Sequence, residues 1–290
     1  MDAAAPMPGE PAGAEAAHYS SAREQYDAAP FYVDGPYVRW QEDECVDALR
    51  LRGSGGGQRS AMRFADVGAG SGSFAARLKQ RFAAEGSVCE LTVVEPSRAM
   101  LAGAEANQEI DCVVNADARA WADSGAAGQY DRMLMKEVYH HCGGTSTDRE
   151  RTLRALRERL APGGRLLVVS RPRDDVDFPL WPEGDASWAQ SASDIPSTVA
   201  ELRAAGFVDV DVRRRAYVCE LELGAWCAFV RNRVWSNFAR FSDAELDAGC
   251  AQIRATHAAS AARGGAADGV LRFEDRVCFI TADTPPQMSG

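Results

Sequence analysis

The sequence predicts an α/β fold, an open sheet whose strands deliver their carboxyl ends to one ligand edge, and three observations predict it. Residues 63–74 form a short apolar strand that ends in Asp66 and runs into a turn with glycines at 68, 70 and 72. Such a turn bends sharply and lets backbone approach a ligand, while Gly72 opens a helix whose first amides face the same spot, which suits a nucleotide-like molecule. Four further apolar blocks, at 89–94, 110–115, 130–135 and 165–170, follow at the spacing of alternating strands and helices. Finally, 290 residues with 46% hydrophobic content bury a full core, as one decorated domain rather than two.

In chain order, residues 1–18 are Ala, Pro and Gly with a few acids, which is neither a signal nor a transit peptide and is expected to be a disordered tail. Tyr26, Phe31, Tyr32, Tyr37 and Trp40 then crowd together before a helix expected over 41–52. They suit either a helix pair packed on the core edge or a lid that closes over a ligand. Residues 51–60, rich in Gly and Ser, link to the first strand. The second strand ends in Glu95 and Pro96, the third leads to Asp117 and Ala118, and the fourth runs into Lys136, Glu137, Val138, Tyr139, His140 and His141. Residues 171–193 are expected to be irregular, 195–206 helical and 207–212 a strand. Residues 213–270 form an insertion, with an extended piece at 217–223 and helices at 224–238 and 242–263. Ser242 and Glu245 give the second of these helices a capping box. A closing strand is expected at 276–281.

Residues around the glycine turn narrow the ligand. The dinucleotide fingerprint places its third glycine where Ser73 stands. A carboxylate directly before the first glycine repels a pyrophosphate and suits a ligand that carries an ammonium group, as the methionine end of S-adenosylmethionine (SAM) does. Glu95 sits where a carboxylate accepts both ribose hydroxyls, a device that nicotinamide enzymes share, and Asp117 is positioned to accept an adenine amino group. A net charge of −10 disfavours nucleic acid and anionic membranes. No apolar run approaches the roughly 18 to 20 residues of a membrane span. Eight cysteines without a C-x-x-C pair indicate neither a metal site nor a redox motif. Cys89, Cys112 and Cys278, in apolar strands, fit buried thiols of a reducing, cytoplasmic compartment. The basic cluster at 149–159 is the solvated side of a helix with Leu153, Leu156 and Leu160 on its apolar face.

Through residues 66–72, Glu95, Asp117, the 130–141 block and Leu160-Ala161-Pro162-Gly163-Gly164, the chain resembles the class I SAM-dependent methyltransferases, in their small-molecule branch. The resemblance covers about residues 60–212 firmly and the rest more loosely. It implies a Rossmann-like, seven-stranded, mostly parallel sheet with an antiparallel last strand and helices on both faces. It divides the chain into a tail (1–18), an N-terminal helical lid (19–60), a SAM-binding core (61–212), an acceptor-pocket insertion (213–270) and a closing segment (271–290). Carried onto this sequence, Asp66 holds the methionine ammonium, Gly68, Ala69, Gly70 and Gly72 pass beneath the methionine part, Glu95 and Pro96 meet the ribose, and Asp117 and Ala118 meet the adenine. The implied product is S-adenosylhomocysteine, and no metal is expected.

Methyl transfer is an in-line displacement from a sulfonium with a neutral leaving group, so placement of the acceptor and exclusion of water matter more than acid or base strength. A hydroxyl or ammonium acceptor must also lose a proton, for which His140 or His141 is the available base; a thioether needs none. Lys136 beside Glu137 either borders the cofactor and charges the acceptor site or forms a strand-end ion pair. Tyr19, Tyr26 and Tyr32 either line the sulfonium or pack, and Trp226 with Arg231 on the inserted helix, or Arg171 after the fifth strand, could clamp an acceptor carboxylate. The acceptor is a small molecule methylated on O, N or S, with S-methylation of a methylthio hydroxy acid in dimethylsulfoniopropionate synthesis as a specific minority reading. The alternatives are a nicotinamide-dependent oxidoreductase and a SAM-binding protein without turnover. A monomer or homodimer is expected.

Overall fold

The computed structural model describes residues 29, 31, 34–49, 61–124, 130–261 and 269–286. Tyr19, Tyr26 and Tyr32, the 1–18 tail and the 51–60 linker lie outside them. A seven-stranded sheet runs in the order β3-β2-β1-β4-β5-β7-β6. Its strands are β1 (Met62–Val67), β2 (Cys89–Val94), β3 (Cys112–Val114), β4 (Tyr130–Lys136), β5 (Leu160–Ser170), β6 (Val208–Glu222) and β7 (Val270–Asp283). The first five are parallel, and β7 enters antiparallel between β5 and β6. β1, β2, β4 and β5 are near-continuous apolar runs because helices cover both faces of the sheet. Helices α1 (Pro36–Ala48), α2 (Ser73–Ala84) and α3 (Arg98–Ala104) flank one face, and α4 (Ala118–Asp123), α5 (Ser146–Arg159) and α7 (Ile195–Ala204) the other.

Helix α1 starts four residues or more before its expected position because Pro36 at the first turn presets the helical φ. Its last turn is tied to the sheet: Arg165 donates to the Ala48 carbonyl at 2.9 Å and Arg132 to that of Leu49 at 2.8 Å. These guanidinium groups satisfy carbonyls that a helix end leaves without intrahelical partners.

Three expectations are corrected. Residues 171–193 are not wholly irregular, because α6 (Pro182–Ser191) starts on a proline at its first turn. The strand at 207–212 and the extended piece at 217–223 are one strand, β6, which pairs with β7 from Val208↔Asp283 to Glu222↔Val270. The shift between Val208 and Asp211 places Asp209 at φ +49° and lets the chain bend while pairing continues. Cys112 is exposed on β3, the short edge strand, rather than buried.

β7 reaches past β5, which pairs with it only over Cys278–Asp283, and the overhanging β6–β7 arm carries the inserted helices. These are α8 (Leu223–Arg231), a 3-10 turn (Ser236–Phe238), and α9 (Asp243–Ala261). Ser242 accepts from the Glu245 amide at 3.4 Å while Glu245 accepts from the Ser242 amide at 2.7 Å, the expected capping box. The helix expected at 224–238 breaks after Arg231, where Arg233 takes φ +49°. This lobe has its own aromatic core, in which Trp226 stacks on Phe229 at 5.3 Å between centroids and packs with Phe178, Trp235 and Phe273.

Candidate active site

Strand ends β1, β2, β4 and β5 gather the site at the carboxyl edge of the sheet, where ligands bind in open α/β folds. The glycines serve the protein's own packing more than ligand approach. Gly68, Gly70 and Gly72 have φ of +75°, +58° and +71°, a conformation L side chains rarely adopt. A Cβ on Gly68 would meet Val138 at 2.3 Å and one on Gly72 would meet Ile110 at 2.7 Å. The turn's amides are also engaged within the protein, against the expectation of a ligand resting on bare N–H groups. Gly68 and Ala69 donate to the Val94 carbonyl, Gly72 to that of Ala69, and Gly70 to Glu95 Oε2 at 3.0 Å.

Carboxylate side chains stand around the turn. Asp66 is buried, 3% exposed, and its Oδ1 has no hydrogen-bond partner among the described residues. Burial pushes its carboxyl up to about 7; Lys136 opposes this and Glu95 adds to it. Glu95 accepts from the Ser97 and Gly70 amides at 2.9 and 3.0 Å, so one carboxylate ties the end of β2 to the glycine turn. Burial raises its pKa while those two amides pull it back. Asn115 donates to the Glu95 and Pro96 carbonyls at 2.9 Å each and fixes that corner, a role without a sequence signal. Asp117 is exposed and uses Oδ1 to cap α4 through the Ala120 amide at 2.7 Å, with Ala118 next to it.

Lys136, the last residue of β4, forms the ion pair with Glu137, Nζ at 3.1 Å, and its Nζ lies 5.0 Å from the Phe74 ring centre. Glu137 adopts φ +57°, unusual for a non-glycine residue, and its amide donates to Val169 at 2.8 Å. Burial would raise its pKa, but Arg171 and Lys136 outweigh burial and hold the carboxyl at about 2. The two histidine rings lie 3.9 Å apart between centroids, tilted by 47°, on the turn Tyr139–His141. Tyr139 hydrogen-bonds Glu201, which Arg149 pairs at 2.7 Å, and this anchors the turn to α5 and α7. Burial, with the neighbouring His141 second, drives the His140 pKa well below the ordinary imidazole range, so His140 is neutral. His141 lies on the Glu95 side.

Arg171 is not an open clamp. Each of its three nitrogens donates within the protein, to Asp275 at 2.9 and 2.8 Å, to Tyr37 at 3.0 Å, and to Glu137. Neither Tyr37 nor Asp275 had a sequence signal as a site residue, since they meet only across α1 and β7, where Tyr37 donates to Asp275 at 2.5 Å. The other two acceptor-site candidates are likewise corrected. Trp226 is fully buried in the lobe core, with its indole N–H on the Pro179 carbonyl at 2.8 Å, and Arg231 is exposed and paired with Asp247 at 2.6 Å. What borders the site instead is a cavity of about 60 Å³ between Glu137, His140, Ser170, Ser193 and Asn237, walled by Trp188 and Trp235. Among the described residues no cluster of His, Cys, Asp or Glu could hold a metal, and no helix is long and apolar enough to cross a membrane.

Comparison with known proteins agrees with this geometry. Residues 65–166 match the family model described as a methyltransferase domain. A stretch of 103 residues is 31% identical to lovastatin diketide synthase of Aspergillus terreus, covering 32% of this chain and 4% of that protein. Among solved structures, phosphoethanolamine N-methyltransferase 2 of Haemonchus contortus, in complex with phosphomonomethylethanolamine and S-adenosylhomocysteine, aligns with TM-score 0.51 and 18% identity over 92% of this chain and 57% of that one. The 4+2 cyclase SpnF aligns with TM-score 0.56 and 16% identity over 97% of this chain and 100% of that one. YcgJ of Bacillus subtilis gives TM-score 0.53 at 14% identity, over 85% and 99%. At these identities the structures define the fold. The chain spans about 4% of the curated relative and just over half of the nematode enzyme chain. The fold is therefore the Rossmann-like one that class I methyltransferases share, and residues 65–166 are similar to a methyltransferase domain.

Proposed function

We propose that this chain transfers a methyl group from SAM to a small-molecule acceptor. The observation that carries the reading is the buried Asp66 Oδ1, an acceptor without a partner among the described residues at the mouth of the glycine turn. A carboxylate held there against desolvation gains most from a cationic ligand. SAM, when bound, supplies an electrophilic methyl on a positively charged sulfur. Asp66 receives the ammonium end, Glu95 and Pro96 the ribose, and Asp117 and Ala118 the adenine edge. The turn residues Gly68, Ala69, Gly70 and Gly72 form the floor, and Lys136 balances the paired carboxylates.

On the acceptor side, His140 takes the proton from a hydroxyl or an amine, because burial keeps its imidazole neutral and it borders the cavity. His141, on the Glu95 side, orients rather than accepts. The S-methylation reading called for an arginine to grip a carboxylate, and both candidates are ion-paired. Oxygen or nitrogen is accordingly the favoured acceptor atom. A nicotinamide enzyme is disfavoured by Ser73 and by the antiparallel β7 inserted beside β5, which the dinucleotide-binding strand order lacks. The cyclase with the same fold supports keeping turnover and binding as separate questions.

Calorimetry with SAM and NAD, followed by assay for S-adenosylhomocysteine in the presence of a metabolite extract, tests the reading. Tight SAM binding with product formation supports it. NAD binding in place of SAM overturns the cofactor, and SAM binding without product under any acceptor overturns the enzyme.

A further inference from the structure

Asn237 belongs to the inserted lobe, not to the cofactor half. It is 6% exposed, and its Nδ2 has no hydrogen-bond partner among the described residues although it borders the 60 Å³ cavity. Its own backbone is fixed, since Ser187 donates to the Asn237 carbonyl at 2.9 Å and holds the 3-10 turn against α6. Leaving a buried amide without a partner is costly, so a group that remains in such a state is suited to a ligand partner. The rest of the lining joins two tryptophans to small polar groups and is uncharged in sum, since its one arginine, Arg171, and its one carboxylate, Glu137, form an ion pair with each other. Ser170 donates to Ser193 at 2.7 Å, which leaves hydroxyls rather than charges on that wall.

We infer that this cavity is the specificity subsite for the acceptor, and that it takes a compact uncharged group bearing an oxygen, such as a primary amide, carbonyl or hydroxymethyl, with Asn237 as its hydrogen-bonding partner. The inference rests on the methyltransferase reading for the word acceptor. A carboxylate or an ammonium inserted here would be an unpaired charge in a site whose own charges already balance. Carboxamide is the best match, because the Asn237 amide offers both a donor and an acceptor and no charge.

The test uses the full chain saturated with S-adenosylhomocysteine and three probes of matched size: acetamide, acetate and methylammonium. The side-chain amide resonances of Asn237, assigned by their loss in Asn237→Leu, are followed in each titration. Acetamide is expected to shift them with a dissociation constant at least tenfold below those of both charged probes. Asn237→Leu should abolish that preference, read through the Trp188 and Trp235 indole resonances, and Asn237→Asp should turn it toward methylammonium. Equal or tighter binding of either charged probe, no shift with any probe, or an unchanged preference in Asn237→Leu overturns the inference. Calorimetry with S-adenosylhomocysteine on the same sample keeps the two readings apart. A failure there removes the methyltransferase reading while the acetamide titration still reports on the cavity.

Discussion

Replacing Asp66 by Asn separates the energetic cost of the cofactor carboxylate from its use. Its pKa moves from an ordinary 3.8 to about 7, led by burial. At 1.36 kcal/mol per unit, ionising Asp66 in the folded protein opposes stability by about 4 kcal/mol above pH 7. The sign follows from a raised carboxyl pKa: the folded state holds a proton that the unfolded state has lost. The stabilising contribution is therefore complete below pH 3.8 and disappears as pH rises through 7. Asparagine, the uncharged isostere, has no such dependence. The stability of the native protein minus that of Asp66→Asn should fall by about 1.4 kcal/mol per pH unit between pH 4 and 7 and level off above it. Urea denaturation at half-unit pH intervals measures the difference, and taking the difference removes titrations common to both proteins. SAM affinity should move oppositely, weakening by about 10- to 150-fold in Asp66→Asn at pH 8, the worth of a charge-assisted hydrogen bond of about 1.5 to 3 kcal/mol. Parallel stability curves refute the buried-carboxylate account, and native affinity in the variant refutes the proposed cofactor contact.

Asp275→Asn removes one anion from the Arg171 cluster and should destabilise the protein by about 3 to 5 kcal/mol in urea denaturation, since it leaves a buried guanidinium short of a partner. His140→Gln should remove a pH dependence of opposite sign to that of Asp66. With the folded pKa depressed, the native contribution is present above about 6.5 and is lost as pH falls, so native protein and variant should diverge in melting temperature below that pH. The same variant should slow turnover of a hydroxyl or amine acceptor and barely affect a thioether; equal losses would remove the base. Gly72→Ala places a Cβ 2.7 Å from Ile110 at φ +71° and should cost about 1 to 3 kcal/mol by thermal denaturation.

Legible in the chain alone were the strands with their ligand-facing ends. Asp66, Glu95 and Asp117 each follow an apolar run, and runs buried on both faces carry a strong local pattern. The capping box at Ser242 was legible for the same reason, because its partners lie three residues apart. Helix α6 escaped notice because Pro172, Pro179 and Pro182 with two tryptophans make the 171–193 stretch resemble loop, although Pro182 at the first turn is compatible with helix. Packing alone decided the acceptor side. Arg171 meets Tyr37 and Asp275 across separations of 134 and 104 residues, so its neutralisation leaves no trace in local spacing. Trp226 resembled a pocket residue until the lobe closed around it, and Asn237, within the helix expected at 224–238, carried no signal of its own until the 3-10 turn brought it to the cavity wall. Cofactor recognition is written at strand ends, where short-range sequence controls geometry, whereas the charge and shape of the acceptor cavity come from long-range contacts among elements that carry no pattern of their own.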